Sequence, residues 1–341
     1  MINRKLKKRI IRISAIIFFV VCICFAFLIR YFTSPINIDK GVIFVVDKNL
    51  PANTVINNLF TQKILSCKLV VKPLIRIYFK LSGRYVMSGK YRFDKNFTPA
   101  HILKAITEGS RQDTRRVTYP EGITIKDFAR ITEQNLGISA SDFMYYANSD
   151  SLRNARKIKS QSLEGYLFPA TYIFTTTQTA EQIIDRLLDQ SEQIWNNKFA
   201  KQANAAGKSR HTVLTLASIV EAETPNASER PRIAGVYLNR LRIGMRLEAD
   251  PTVQYAIGGK KRLTYADLDV NSPYNTYRNT GVPPGPINNP SESSIAAALN
   301  PEHHNYIFFV AIGDSTLKHR FASNFSAHKR NIALYKSQKN R

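Results

Sequence analysis

Seventeen consecutive residues, Ile13 to Ile29, carry no charge, and this run limits every later reading of the chain. Before it stand Arg4, Lys5, Lys7, Lys8, Arg9 and Arg12, with no acid among the first twelve residues. As a helix rising about 1.5 Å per residue the run measures about 26 Å, slightly short of the roughly 30 Å of bilayer hydrocarbon. Ile10 and Ile11 on one side and Tyr31 and Phe32 on the other lengthen it, because Arg12 and Arg30 can snorkel. The expected transmembrane segment is therefore 13–32, behind a cytoplasmic basic flank at 1–12. A cleaved signal peptide would end in a small-residue site. Phe25-Ala26-Phe27-Leu28-Ile29-Arg30 offers none, so the segment is expected to persist as a single-pass anchor. Everything beyond about residue 33 is then expected outside the cytoplasmic (inner) membrane, facing the periplasm or cell exterior.

That placement decides what the charge means. Lys and Arg outnumber Asp and Glu by 49 to 25, and only seven of the basic residues fall within the first 30. An excess of this size favours an anionic partner. Outside the membrane that partner is expected to be lipid head groups or an anionic cell-wall polymer, and not nucleic acid. Apolar residues make up 44% of the chain and charged ones 22%, which excludes wholesale disorder. Three cysteines make no disulfide framework. Cys22 and Cys24 lie in the apolar run, and Cys67 is expected to be a small buried hydrophobe.

Residues 41–110 read as a small α+β module. Val42 to Val46, Leu74 to Phe79 and Tyr85 to Phe93 are rich in β-branched and aromatic residues and are predicted as strands. Pro51 opens a helix over Val55 to Phe60. Another begins with Thr98 as N-cap and Pro99 at its first position, and Gly109 closes it. A connecting α+β unit at 111–160 holds a strand, Arg116 to Tyr119. It also holds a helix started by the Thr124–Asp127 capping box and ended by Gly137. The basic stretch Leu152 to Ser160 reads as a solvated face or linker. From residue 161 helices dominate: one from the Thr179–Gln182 box to about Ala206, one over His211 to Glu223, one over about Glu229 to Arg242. Residues 271–290 contain five of the 15 prolines and suit an ordered loop at a cleft.

There is no Gly-rich phosphate loop, nucleophile elbow or His-Glu-x-x-His, and the adjacent His303 and His304 suit no metal pair. The informative stretch is Leu216-Ala217-Ser218-Ile219-Val220-Glu221-Ala222-Glu223. Two carboxylates end an apolar helix, where partial desolvation would raise a carboxyl pKa and keep a proton for general acid work. Acids at a helix C-terminus oppose its dipole, so they are not there for helix stability. Positions i and i+2 differ by about 200°, so Glu221 and Glu223 cannot address one spot. One is free for substrate while the other pairs with a base such as Arg230 or Arg232. The bland alternative, two acids on an exposed last turn, stands equal on these residues alone.

Five blocks carry a resemblance: LEGYLFPATYIF (163–174), LASIVEAET (216–224), LNRLRIGMRLEADPTVQYA (238–256), SPYNTYRNTGVPPGPINNPSESSIAAALNP (272–301) and FASNFSAHKRNI (321–332). In this order they resemble the membrane-anchored endolytic murein transglycosylases, the YceG-like family. The resemblance implies an α+β protein with a transmembrane helix, a LysM-like module within 40–110 and a lysozyme-related, mainly helical catalytic domain at 161–335. It implies non-hydrolytic cleavage between N-acetylmuramic acid and N-acetylglucosamine inside peptidoglycan strands, giving 1,6-anhydro ends, with no cofactor. It puts one catalytic Glu in the 216–224 block, and Glu223-Thr224 looks like the Glu-Ser pair of other lytic transglycosylases. Glu223 is thus expected to be the acid and base, with Glu221 as second choice or supporting carboxylate.

Sugars call for planar polar groups and aromatic faces. Tyr274, Asn275 and Tyr277 are expected at the substrate, then Gln254 and Asn239, although Tyr and Asn are also common in ordered turns. Glu164 is expected either to bind substrate or to pair with an Arg, and Tyr166 stands beside it. His328 is expected to be a structural hydrogen-bonding residue, and Glu248 and Asp250 turn or N-cap residues. Cell-wall synthases are the partners the family implies. One rival is a non-catalytic peptidoglycan-binding scaffold. The other is a pyridoxal-phosphate lyase, which needs a Schiff-base lysine, and none occurs from His211 to Gly259.

Overall fold

A computed structural model describes residues 4–36, 41–47, 50–109, 114–176 and 178–339. They form two compact units. One comprises the described residues up to Arg115 together with 174–176, and the other 116–173 and 178–339.

The first unit begins with α1 (Arg4–Thr33), one uninterrupted helix. Its Arg12–Thr33 portion is long and apolar enough to cross a membrane, and none of it is buried. The side chains of residues 1–11, which hold most of the basic flank, lie outside the description. Next come β1 (Val42–Val46), α2 (Ala52–Thr61), α3 (Lys68–Ser82) and β2 (Gly89–Phe93). β1 and β2 pair antiparallel, with Val42 opposite Phe93 and Val46 opposite Gly89. α4 (Pro99–Glu108) starts as its sequence predicts: Thr98 accepts from the His101 N–H, Pro99 leads, and Gly109 turns left-handed at the end. Phe44, Phe93, Ile56, Leu59, Ile75 and Ile102 from these elements share one core.

Three expectations fail in this unit. Leu74 to Phe79 lies inside helix α3, not in a strand, and Pro73 sits within the same helix. Val71, Ile75 and Phe79 recur every fourth residue and are the side chains α3 buries, so packing at helical period outweighs their β propensity. The predicted strand Tyr85 to Phe93 starts only at Gly89, after Gly83 ends α3 left-handed. Cys67 is exposed, because it occupies a left-handed turn residue (φ 55°) ahead of α3.

β3 (Thr114–Thr118), whose residues 116–118 belong to the second unit, pairs with a later strand, and α5 (Ile125–Leu136), α6 (Ala140–Ala147) and α7 (Asp150–Ala155) follow it. That partner is β4 (Thr171–Thr175). The Thr124–Asp127 box caps α5 in both directions and Gly137 ends it. α8 (Ala180–Ile194) opens on the reciprocal Thr179–Gln182 box, then passes through one π turn, Trp195–Phe199, into α9 (Ala200–Ala205). The basic stretch after α7 is not merely solvated: Arg156 binds Asp185 (2.6 Å) and Asp189 on α8.

α10 (Arg210–Glu223) is capped by Ser209 and buries every residue from Val213 to Val220. α11 (Arg230–Arg242), α12 (Asp250–Ala256) and α13 (Glu292–Leu299) surround it. β5 (Phe308–Ala311), β6 (His319–Ala322) and α14 (Phe325–Lys339) complete the chain. Residues 271–290 form no helix, and their backbone is held by a bridge between Ile123 and Asn289. Two glycines permit the close packing. A Cβ on Gly165 (φ 82°) would lie 2.4 Å from Pro286, and one on Gly235 of α11 would lie 2.5 Å from the Glu302 carbonyl.

Candidate active site

α10 ends in the two carboxylates, and the fold gives them different surroundings. Glu221 accepts from Arg230 Nη2 at 2.8 Å, from the Ser291 N–H at 2.9 Å and from the Ser291 hydroxyl. Arg230 is itself buried and donates to Ser291 and Ser293. Removing one partner of so buried a pair costs about 3–5 kcal/mol, because the other charge is left uncompensated. Arg232, the other base considered, binds Glu302 instead.

Glu223 lies two residues on and faces elsewhere. Its Oε1 accepts a hydrogen bond from the Tyr237 hydroxyl of α11. Burial pushes its carboxyl up to about 7, against the lowering effect of that bond, with nearby Asp250 adding to the rise and Arg240 opposing it. The C-terminal dipole of α10 acts in the same direction as burial. The residue remains partly exposed. Thr224 is buried at the helix end, where its hydroxyl accepts from the Asn226 N–H.

The predicted substrate residues divide into two groups. Tyr277 is half-buried, donates to Asp250 Oδ1 at 2.6 Å and interacts electrostatically with Glu223. Tyr274 is half-buried with its ring 4.9 Å from that of Tyr255. Gln254 donates to the Lys261 carbonyl and keeps some exposure.

The others are engaged inside the fold. Asn275 is 0% exposed; its amide binds the Leu268 and Val270 carbonyls and its Oδ1 accepts from the Tyr277 N–H, so it shapes the loop. Asn239 binds the His304 and Tyr306 carbonyls and fixes the strand approach to β5. Tyr166 is buried against His211, 3.0 Å from Nδ1.

Glu164 has no arginine partner among the described residues. It is buried, accepts from the Ile125 N–H at the start of α5 and from Asn289, and bonds Tyr255. Burial raises its carboxyl to about 8, against the Ile125 bond. His328 stacks on Phe308 at 4.8 Å, and its buried Nδ1 has no partner among the described residues. Packing, not hydrogen bonding, therefore holds it. Asp250 is the first residue of α12 and Ala249 its N-cap, while Glu248 takes a left-handed turn (φ 47°).

Tyr237, Arg240 and Ser291 escaped the sequence reading. Tyr237 shares the buried face of α11 with Ile233, and a buried tyrosine hydroxyl needs a partner. That was the one signal available for it.

One carboxyl held near neutral pH, with one oxygen bonded among the described residues, is a group that can both give and take a proton. The model of the YceG-like family matches residues 44–334. A protein of Bacillus subtilis (strain 168) named endolytic murein transglycosylase is 31% identical over 89% of this chain and 88% of its own length. One of Streptococcus pneumoniae with the same name is 29% identical over 74% of this chain, which spans about half (51%) of that relative. A crystal structure of a YceG-like protein from Listeria monocytogenes matches 85% of this chain and 99% of its own, at TM-score 0.59 and 31% identity. The chain belongs to the YceG-like family.

Proposed function

We propose that this protein is an endolytic lytic transglycosylase of peptidoglycan and that Glu223 is its acid and base. The observation that carries the reading is the contrast at the end of α10. Glu221 is consumed by Arg230 and Ser291, while Glu223 keeps one oxygen free among the described residues and a carboxyl raised to about 7. The names of the relatives support the activity.

The chemistry needs one carboxyl. With Tyr237 holding Oε1, the proton resides on Oε2 and passes to the oxygen of the bond between N-acetylmuramic acid and N-acetylglucosamine. An oxocarbenium-like centre develops at C1 as the leaving sugar departs. The carboxylate then takes the proton of the muramic C6 hydroxyl, whose oxygen closes on C1. The product is a 1,6-anhydro end and no water is consumed. Intramolecular attack supplies the proximity that a second carboxylate gives in hydrolases. Tyr277 and Tyr274 offer half-buried aromatic faces to the sugars. Neither step requires a metal or an organic cofactor.

Strand–helix–helix–strand order in 42–93 supports a LysM-like module. The mainly helical second unit supports kinship with lysozyme-type domains. The apolar Arg12–Thr33 helix supports a single-pass inner-membrane anchor with the catalytic unit outside, where nascent strands are cut near the membrane beside the synthases.

The test digests purified sacculi with wild type, Glu223→Gln and Glu221→Gln, followed by muropeptide analysis. Wild type yields non-reducible anhydro ends. Glu223→Gln folds and loses about 10²–10⁴-fold in rate. Glu221→Gln is impaired through stability. Ordinary reducing ends with solvent oxygen would make the protein a hydrolase, and intact sacculi with wild type would favour the scaffold.

A further inference from the structure

α3 is divided lengthwise into three faces. Successive residues turn by about 100°. Val71, Ile75 and Phe79 fall on one face and enter the core. Lys68, Lys72, Arg76 and Lys80 form an unbroken i, i+4 row with no acid anywhere in the helix. Val70, Leu74, Ile77, Tyr78 and Leu81 form the third face, and all are exposed, Leu81 by 81%. Tyr85, just past the helix, is 86% exposed. Leu69 stands within the basic row and is 93% exposed.

Neither exposed face stabilises the folded unit in water. Like charges at i, i+4 repel one another and destabilise a helix in water. The pKa of Lys72 is lowered, first by desolvation and then by the neighbouring Arg76 and Lys68. A contiguous apolar face running beside a cationic one is the pattern of helices that lie in a bilayer interface.

The position of α3 says what covers it. The Tyr31 hydroxyl, in the last turn of α1, donates to the Ser66 carbonyl at 2.9 Å and accepts from the Ser66 N–H. α3 therefore begins two residues from a tether to the end of the apolar α1. Leu28 and Phe32 of α1 also line, with Leu74, Ile75 and Tyr78 of α3, a cavity of about 650 Å³, at whose polar end Glu108 pairs with Arg84 and Lys104. Apolar walls at that level suit acyl chains, and the cationic row of α3 suits phosphate head groups.

We propose that α3 lies in the outer head-group layer of the membrane, its Val70–Leu81 face among acyl chains and its Lys68–Lys80 row against anionic lipid. The proposal rests on α1 spanning the membrane. The first unit would then be fixed at the bilayer by two contacts and not by α1 alone. Each cation near an anionic surface contributes about fivefold to partition.

The experiment reconstitutes the full chain in phosphatidylglycerol or phosphatidylcholine liposomes. Nitroxide labels are placed at Ile77→Cys or Leu81→Cys, with Cys22, Cys24 and Cys67 changed to Ser. A label on native Cys22, with the other two cysteines removed, reports on α1, and one at the exposed Tyr265→Cys serves as the water reference. Collision with oxygen against a nickel chelate is read by electron paramagnetic resonance. Labels at 77 and 81 are expected to favour oxygen, as Cys22 does. In phosphatidylcholine, or after Lys68, Lys72, Arg76 and Lys80 are changed to Glu, the preference should weaken. If 77 and 81 behave like 265 while Cys22 stays in lipid, α3 is not interfacial and the anchor stands. If Cys22 also behaves like 265, both readings fall. Dipolar broadening at 77 that vanishes on dilution with unlabelled chain would assign the face to a second copy and overturn the proposal. An equal preference in both lipids would remove the basic row from it.

Discussion

α3 and α10 are similar in length, at 15 and 14 residues, and each carries apolar side chains well beyond a single face, although α3 alone has a cationic row. Their fates are opposite. α10 buries eight consecutive residues, Val213 to Val220, beneath α11, α12 and α13. α3 buries Val71, Ile75 and Phe79 and leaves the rest of its apolar side chains outside. A helix apolar all round needs neighbours all round, or a solvent that is not water. α10 obtains protein, and the two carboxylates at its end are held in a partly dry place as a result. On the two proposals made above, an apolar helix serves catalysis in one unit and membrane attachment in the other.

The sharpest way to break this contrast is to remove volume from each helix. Ile219→Ala in α10 should cost about 2–5 kcal/mol, because a fully buried side chain leaves a cavity. Urea unfolding of the detergent-solubilised chain measures it, and a loss of less than about 1 kcal/mol would mean that α10 is not the core helix described here.

Ser218 comes next. It is 0% exposed, donates to the Thr215 carbonyl at 2.8 Å and accepts from the Ile287 N–H at 3.0 Å. Ser218→Ala strands that N–H and should cost about 1–3 kcal/mol while loosening the 271–290 loop. Faster amide exchange at Ile287 would report it.

The burial of α10's end is read by pH. In the proposed mechanism Glu223 acts first as an acid, and burial raises its carboxyl to about 7. The rate on sacculi should be flat below about pH 7 and fall about tenfold per unit above it. A rate that rises through about pH 7 would mean the group acts first as a base. Stability follows the same sign. A raised carboxyl favours the folded state fully below its unfolded pKa, and that contribution is lost as pH rises from the ordinary carboxylate range through about 7. Glu223→Gln should remove this part of the pH dependence.

The smallest effect is expected on α3. Ile77→Ser should change stability in detergent by no more than about 0.5 kcal/mol, since Ile77 is half exposed. A loss comparable to that of Ile219→Ala would place Ile77 in a protein core and erase the comparison.

How much of this was legible depended on the distance over which each signal acts. Thr98 with Pro99, Thr124 with Asp127 and Thr179 with Gln182 stand within three residues of the groups they satisfy, and each starts a helix where the chain says. Leu74 to Phe79 misled because β-branched and aromatic residues suit strands until a core selects every fourth one. Asn275 and Asn239 looked like sugar ligands by type, yet their amides are used on Leu268, Val270, His304 and Tyr306. Whether an amide is free is not written near it.

The sequence by itself determined the apolar span, the basic excess, the capped helices and a pair of acids at the end of an apolar helix. Those are properties of neighbouring residues, and a turn of helix is enough to express them. Only the tertiary structure separated the acids. Arg230 and Ser291 reach Glu221, and Tyr237 reaches Glu223, across gaps of 9, 70 and 14 residues. A proton's affinity for a carboxyl is set by what surrounds it, and folding supplies those surroundings from remote parts of the chain.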